Sequence, residues 1–160
     1  GMLREILKEG GRFVVTGHSL GGALPVLFTG VLAMHGEEWV LERLGGVYTY
    51  GQPRVGDERF GEFVAENLRK RGIGYYRFVY NNDIVPRLPF DNGDFMFKHF
   101  APALFYNSLY KGKCVKVEPN KNYFSLRAAI PMYVGAVWEM IRSFVAQYIW
   151  GEGLKESWLL

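Results

Sequence analysis

Residues 12–35, RFVVTGHSLGGALPVLFTGVLAMH, constrain this chain more than any other stretch. The opening RFVVT is mostly apolar and β-branched, which predicts a buried strand. Gly17-His18-Ser19-Leu20-Gly21 follows at once, then Gly22 and a long apolar run with helical spacing. Strand, Gly-x-Ser-x-Gly, helix is the nucleophile-elbow arrangement. A turn that sharp forces its serine into a strained backbone, so small residues are expected on both sides of it. Ser19 Oγ would then project from the tip of the turn. The backbone N–H of Leu20, at the start of the helix, would point to where a carbonyl oxygen becomes an oxyanion, with the helix dipole adding positive potential. A bare Gly-x-Ser-x-Gly arises by chance in roughly 5% of chains this long. The flanking strand and helix are therefore what separate an elbow from a tight turn with a polar filler.

The chain reads as alternating strands and helices. Residues 2–8 predict the end of a helix stopped by Gly10-Gly11. The helix after Ser19 should run to about His35, with Gly36 as its stop and Pro25 as an irregularity, since an interior proline costs about 3 kcal/mol. A helical turn is expected over 37–43, punctuation at Gly45-Gly46, and a second strand at Val47–Tyr50. Asp57 should cap a helix that faces the core with Phe60, Phe63, Val64 and Leu68 and stops at Gly72. Tyr75–Tyr80 predicts a third strand, and residues 113–118 a short one. Strands alternating with helices of this length imply parallel βαβ units, with flanking helices. Three parallel strands alone would leave exposed edges, so the sheet is expected to continue in further chain.

Asp83 follows the third strand directly, in Asn81-Asn82-Asp83-Ile84-Val85-Pro86-Arg87. An acid there lies on the same rim as the elbow serine, which is where an α/β-hydrolase carries its triad acid, in the order Ser, Asp, His. The alternative is an Asx turn ahead of Pro86. The histidines are less obliging. His18 adjoins Ser19, and neighbouring side chains on a sharp turn point apart. His35 lies about 24 Å along the helix. His99 follows Asp83 closely and reads as a structural residue near the cleft, with catalysis the weaker alternative.

Residues 95–110 are dense in aromatics, and 130–150 form an apolar stretch with one polar stripe, Gly135, Ala136, Glu139, Arg142, Ser143, Ala146 and Gln147. As a helix it would be about 31 Å long, but Glu139 and Arg142 would sit mid-bilayer. It is expected to be amphipathic, lying on a lipid surface or packed on the domain. Net charge is +3 with basic residues scattered, which leaves no nucleic-acid footprint of weight. A lone cysteine, Cys114, rules out an internal disulfide and fits a reducing compartment.

Three blocks, GHSLGGAL (17–24), YGQPRVGD (50–57) and NDIVPRLP (82–89), resemble the fungal-type, or class three, lipases. FKHF (97–100), YNSLYKGK (106–113) and EPNKNYFSL (118–126) are similar to their plant oil-body triacylglycerol lipase branch. The resemblance implies a partial α/β-hydrolase fold over residues 1–127, an amphipathic helix over 128–150 and a tail over 151–160. It implies hydrolysis of acylglycerol esters through a Ser-Asp-His acyl-enzyme, with Ser19 as nucleophile, Asp83 as acid, Leu20 N–H in the oxyanion hole, and no cofactor or metal. Pro25 departs from the residue usual in the family. The expected partners are an acylglycerol and the surface of a lipid droplet or membrane, on its cytoplasmic side. The family's histidine comes later in the chain and its lid and second oxyanion donor earlier. The catalytic histidine is therefore expected beyond Leu160, and these 160 residues alone are expected to be inactive. Rival readings are a phospholipase A1 or galactolipid acyl hydrolase, a catalytically silent lipid-droplet-binding protein and, more distantly, a peptidase.

Overall fold

The computed structural model describes residues 5–7, 10–81, 83–89, 97–107 and 109–116, together with six single positions between 134 and 145. The chain divides at Pro119 into Gly1–Pro119 and Asn120–Leu160. The first unit is built on a five-stranded sheet. Its strands are β1 (Phe13–His18), β2 (Leu44–Tyr50), β3 (Gly74–Tyr80), β4 (Ala103–Tyr106) and β5 (Gly112–Val115), in that spatial order. The first four run parallel and β5 is antiparallel to β4. The sheet is thus mixed rather than parallel throughout, and it has two strands more than the three legible as parallel βαβ units. It is the mixed sheet with flanking helices of a partial α/β-hydrolase fold.

Between β1 and β2 lie a 3-10 turn (Ser19–Gly22), α1 (Ala23–Met34) and α2 (Glu38–Leu41); α3 (Glu58–Lys70) joins β2 to β3. The helices pack on the sheet face that carries Phe13, Val15, Val47 and Tyr75. Leu41, Leu44, Val64, Leu68 and Ile73 complete the core there. Asp57 caps α3 as expected, its carboxylate accepting the Phe60 N–H at 2.9 Å. A second apolar cluster, Val79, Ala103 and Phe105, joins β3 to β4. Pro25 does not break α1. The 3-10 turn precedes it, so the proline falls in the first turn of the α-helix, where a missing N–H is least costly, and its carbonyl accepts the Thr29 hydroxyl at 2.7 Å.

Gly45 and Gly46 do not end an element; both lie inside β2. Their neighbours supply the reason. Gly46 pairs with Gly74, and Tyr48 with Tyr76 two residues on. A Cβ on Gly46 would come within 2.8 Å of the Tyr48 ring, and one on Gly74 within 2.5 Å of Tyr76. The two rings stack at 5.1 Å and fold back over the paired glycines. On the same face Tyr50 stacks on Phe78 at 4.9 Å. The start of the chain is described only at residues 5–7, where Leu7 is buried. In the second unit Val134, Val137, Trp138, Met140, Ile141 and Val145 are helical and exposed. The polar stripe expected on that helix, Glu139 and Arg142 included, lies outside the described residues.

Candidate functional site

The C-terminal ends of parallel strands share one rim, and the candidate residues lie along it. β1 ends at His18, paired with Tyr50 at the end of β2, which in turn pairs with Phe78 of β3. Ser19 follows His18 with φ at 55°, in the left-handed region where a non-glycine residue is strained by about 1–2 kcal/mol. The turn closes tightly on one side. A Cβ on Gly17 would overlap the Gly21 carbonyl, and one on Gly22 would come within 3.1 Å of Gln52. Gly21 differs from expectation, because a Cβ there would meet nothing. Close packing therefore explains the glycines at 17 and 22, not the one at 21. Leu20 sits in the first helical turn, 77% exposed.

Asp83 reaches the same place from β3. Its backbone N–H donates to the Tyr80 carbonyl at 2.9 Å, and its Oδ1 accepts the Val85 N–H at 3.0 Å. That is the Asx turn considered from the sequence, and it engages one oxygen only. The other, Oδ2, lies over Gly51, where a Cβ would stand 2.5 Å from it. Gly51 has φ at 58° and is buried. It directly follows Tyr50, the partner of His18. Ser19, Gly51 and Asp83 thus follow β1, β2 and β3 in turn, three neighbouring strands spaced about 4.8 Å apart. The 3-10 turn Ser19–Gly22 also neighbours the one at Val85–Arg87.

The three histidines are placed differently. His18 is exposed at the end of β1, and His35 ends α1 at the far end from Ser19. His99 Nε2 donates to the Pro86 carbonyl at 2.7 Å, which ties the segment ahead of β4 to the turn after Asp83.

Sequence reasoning passed over a polar layer beneath the rim. Gln52 is 1% exposed, packs against Gly22, and accepts the Tyr75 hydroxyl on Oε1 at 2.5 Å. Burial pushes the Tyr75 pKa from 10 to about 12, against the weaker opposing effects of Arg77, Gln52 and Thr49. Arg54 and Arg87, both buried, lie in the loops after β2 and β3. The signal for Gln52, Arg54 and Arg87 was position, polar residues after strand ends of one rim, whereas Tyr75 lies within β3.

A mixed α/β sheet with a strained serine between β1 and its helix, and an acid after β3, has the outline of the α/β-hydrolase fold. A lipase (class 3) profile matches residues 2–93, more than half of the chain, and the chain belongs to that family. It is 52% identical to "Triacylglycerol lipase OBL1" of Nicotiana tabacum and 46% identical to the protein of that name from Arabidopsis thaliana. Each match covers 98% of this chain but 28% and 31% of those relatives. The chain thus spans about three-tenths of the length of its plant relatives. A "Lipase" of Rhizomucor miehei is 45% identical over 78 residues, 49% of this chain and 20% of that protein.

Proposed function

We propose that this chain carries the nucleophile and the acid of a triacylglycerol lipase acting by acyl transfer. A histidine held by Asp83 takes the Ser19 proton as Oγ attacks the ester carbonyl. The Leu20 N–H donates to the oxyanion, the histidine protonates the departing glycerol oxygen, and water then releases the fatty acid. The observation that carries this reading is Ser19 at φ 55° after β1, with Asp83 Oδ2 lying over Gly51, the residue that follows the neighbouring strand β2. The names of the plant relatives support an acylglycerol as substrate and lipid catabolism as the setting.

The same proposal extends to where the enzyme works. At 100° per residue, Val134, Val137, Trp138, Ile141 and Val145 fall within an arc of about 100°, and Met140 widens it to about 160°. All six are exposed. An apolar stripe of this kind suits the surface of a lipid droplet or membrane, on the cytoplasmic side. Among the described residues no helix is long and apolar enough to cross a bilayer.

Labelling of the full-length protein with a fluorophosphonate tests the chemistry. Labelling is expected at Ser19, and it should vanish in Ser19→Ala together with release of fatty acid from triacylglycerol. Turnover that survives Ser19→Ala would overturn the reading. Turnover of phospholipids or galactolipids in preference to triacylglycerol would overturn the substrate and leave the nucleophile.

A further inference from the structure

The turn that carries Asp83 has an accounting problem. Residues 81 and 83–89 follow β3 and lie outside any sheet ladder, so their carbonyls need other donors where they are buried. Two buried arginines provide them. Arg87, 2% exposed, donates through Nη1 to the carbonyl of Asp83 itself, and through Nη2 to that of Asn81 at 3.2 Å. Asn81 is held with φ at 30°. Arg54 donates through Nη1 to the carbonyls of Arg87 at 2.7 Å and Pro89 at 2.5 Å. Its backbone N–H adds a bond to Leu88 O at 2.7 Å. His99 takes Pro86 O. The two arginines come from different loops, after β2 and after β3, so the clamp ties the acid's turn to the loop that begins with Gly51.

We infer that Arg54 and Arg87 are positioning residues for Asp83, fixing its main chain so that Oδ2 stands over Gly51 and faces the base. The inference rests on Asp83 being the triad acid. Side-chain oxygens alone would not hold this geometry. Oδ1 is used in the Asx turn, and Oδ2 lies over Gly51 with no donor side chain on it among the described residues. The orientation of the carboxylate is therefore inherited from the backbone that Arg87 grips at the Asp83 carbonyl. A planar fork suits this task and an ammonium does not, because two carbonyls two residues apart must be reached from one group.

The test is steady-state hydrolysis of a soluble ester by the full-length protein, with melting temperature measured alongside. Arg87→Lys and Arg54→Lys are expected to lower kcat by about 10- to 100-fold with KM unchanged, the scale of a misplacement of about 1 Å. Arg87→Ala should be rescued in kcat by millimolar guanidinium, and not by urea or sodium chloride at equal concentration. Arg71→Ala breaks an exposed pair with Glu38 (2.5 Å) and is the control, expected to change the melting temperature alone. If Arg87→Ala does not fold, the two lysine variants decide. Unchanged kcat in both lysine variants, with Asp83→Asn inactive, would overturn the positioning role alone. Wild-type turnover in Asp83→Asn would overturn the acid itself and the clamp with it. A loss of kcat that only follows the melting temperature, without guanidinium rescue in Arg87→Ala, would reduce both arginines to fold stability and also overturn the inference.

Discussion

At the scale of single residues, the rim is governed by which positions carry a Cβ. Ser19 carries one at φ 55° and stores strain there, whereas Gly51 lacks one at φ 58° and so leaves room for the Asp83 carboxylate. The two residues follow the paired strand ends His18 and Tyr50, so adjacent strand ends make opposite choices. Gly51→Ala tests this directly. The new methyl would demand a left-handed alanine, at about 1–2 kcal/mol, and would displace Oδ2 from its present position. Turnover should fall about 100-fold, as expected for a displacement of about 1 Å, while fluorophosphonate labelling of Ser19 slows without being abolished. Unchanged turnover in a folded Gly51→Ala protein would show that Asp83 does not work from this position. The positions of Ser19 and Asp83 just after strands were legible in the sequence, because each follows a recognisable strand. Gly51 was not singled out, because its reason lies in a residue 32 positions away.

At the scale of elements, the sequence was most legible where periodicity and caps agree. Asp57 with Phe60, Val64 and Leu68 fixed α3, although Phe63, expected on the same face, is exposed, and the elbow fixed the junction of β1 with its helix. Legibility failed where tertiary partners overrule local preference. Gly45-Gly46 looks like a break and is strand, with the Tyr48 ring folded over Gly46. β4 was hidden in an aromatic-rich stretch whose alternation, Ala103 and Phe105 inward, becomes visible only beside Val79. The polar layer under the elbow was hidden in the same way, since Gln52 and Tyr75 belong to different elements and meet only when β2 and β3 pair. The burial of Tyr75 predicts a pH dependence. The Tyr75 pKa is raised by burial, from 10 to about 12. Below pH 10 the phenol is neutral in both folded and unfolded chains, and its contribution is fully present. Between pH 10 and 12 the unfolded chain ionises first, so stability falls with rising pH, by at most about 1.4 kcal/mol per unit. Tyr75→Phe should flatten this part of the decline in melting temperature. An identical decline in the variant would place the alkaline transition elsewhere.

For the whole molecule, the proposed chemistry and the proposed lipid contact fall to different parts of the chain. The rim of the sheet holds Ser19 and Asp83, while the exposed stripe of Val134, Val137, Trp138, Ile141 and Val145 belongs to the second unit. If the stripe binds lipid, the two properties should separate by mutation. Trp138 and Ile141 are 54% and 48% exposed, so replacing both with aspartate removes little packing from the fold. On a lipid surface each side chain would bury further apolar area, and full burial of such a side chain is worth about 1.5–3 kcal/mol. Two of them, replaced by charges that must also be desolvated, should lower partitioning at least about tenfold, since about 1.4 kcal/mol is one decade. Trp138→Asp/Ile141→Asp full-length protein should therefore fail to float with triacylglycerol droplets. Its hydrolysis of a short-chain soluble ester should stay at the wild-type rate, because that substrate reaches Ser19 without a surface. Flotation equal to wild type would remove the stripe from lipid binding. Loss of soluble-ester turnover together with flotation would mean that these positions support the fold rather than the surface.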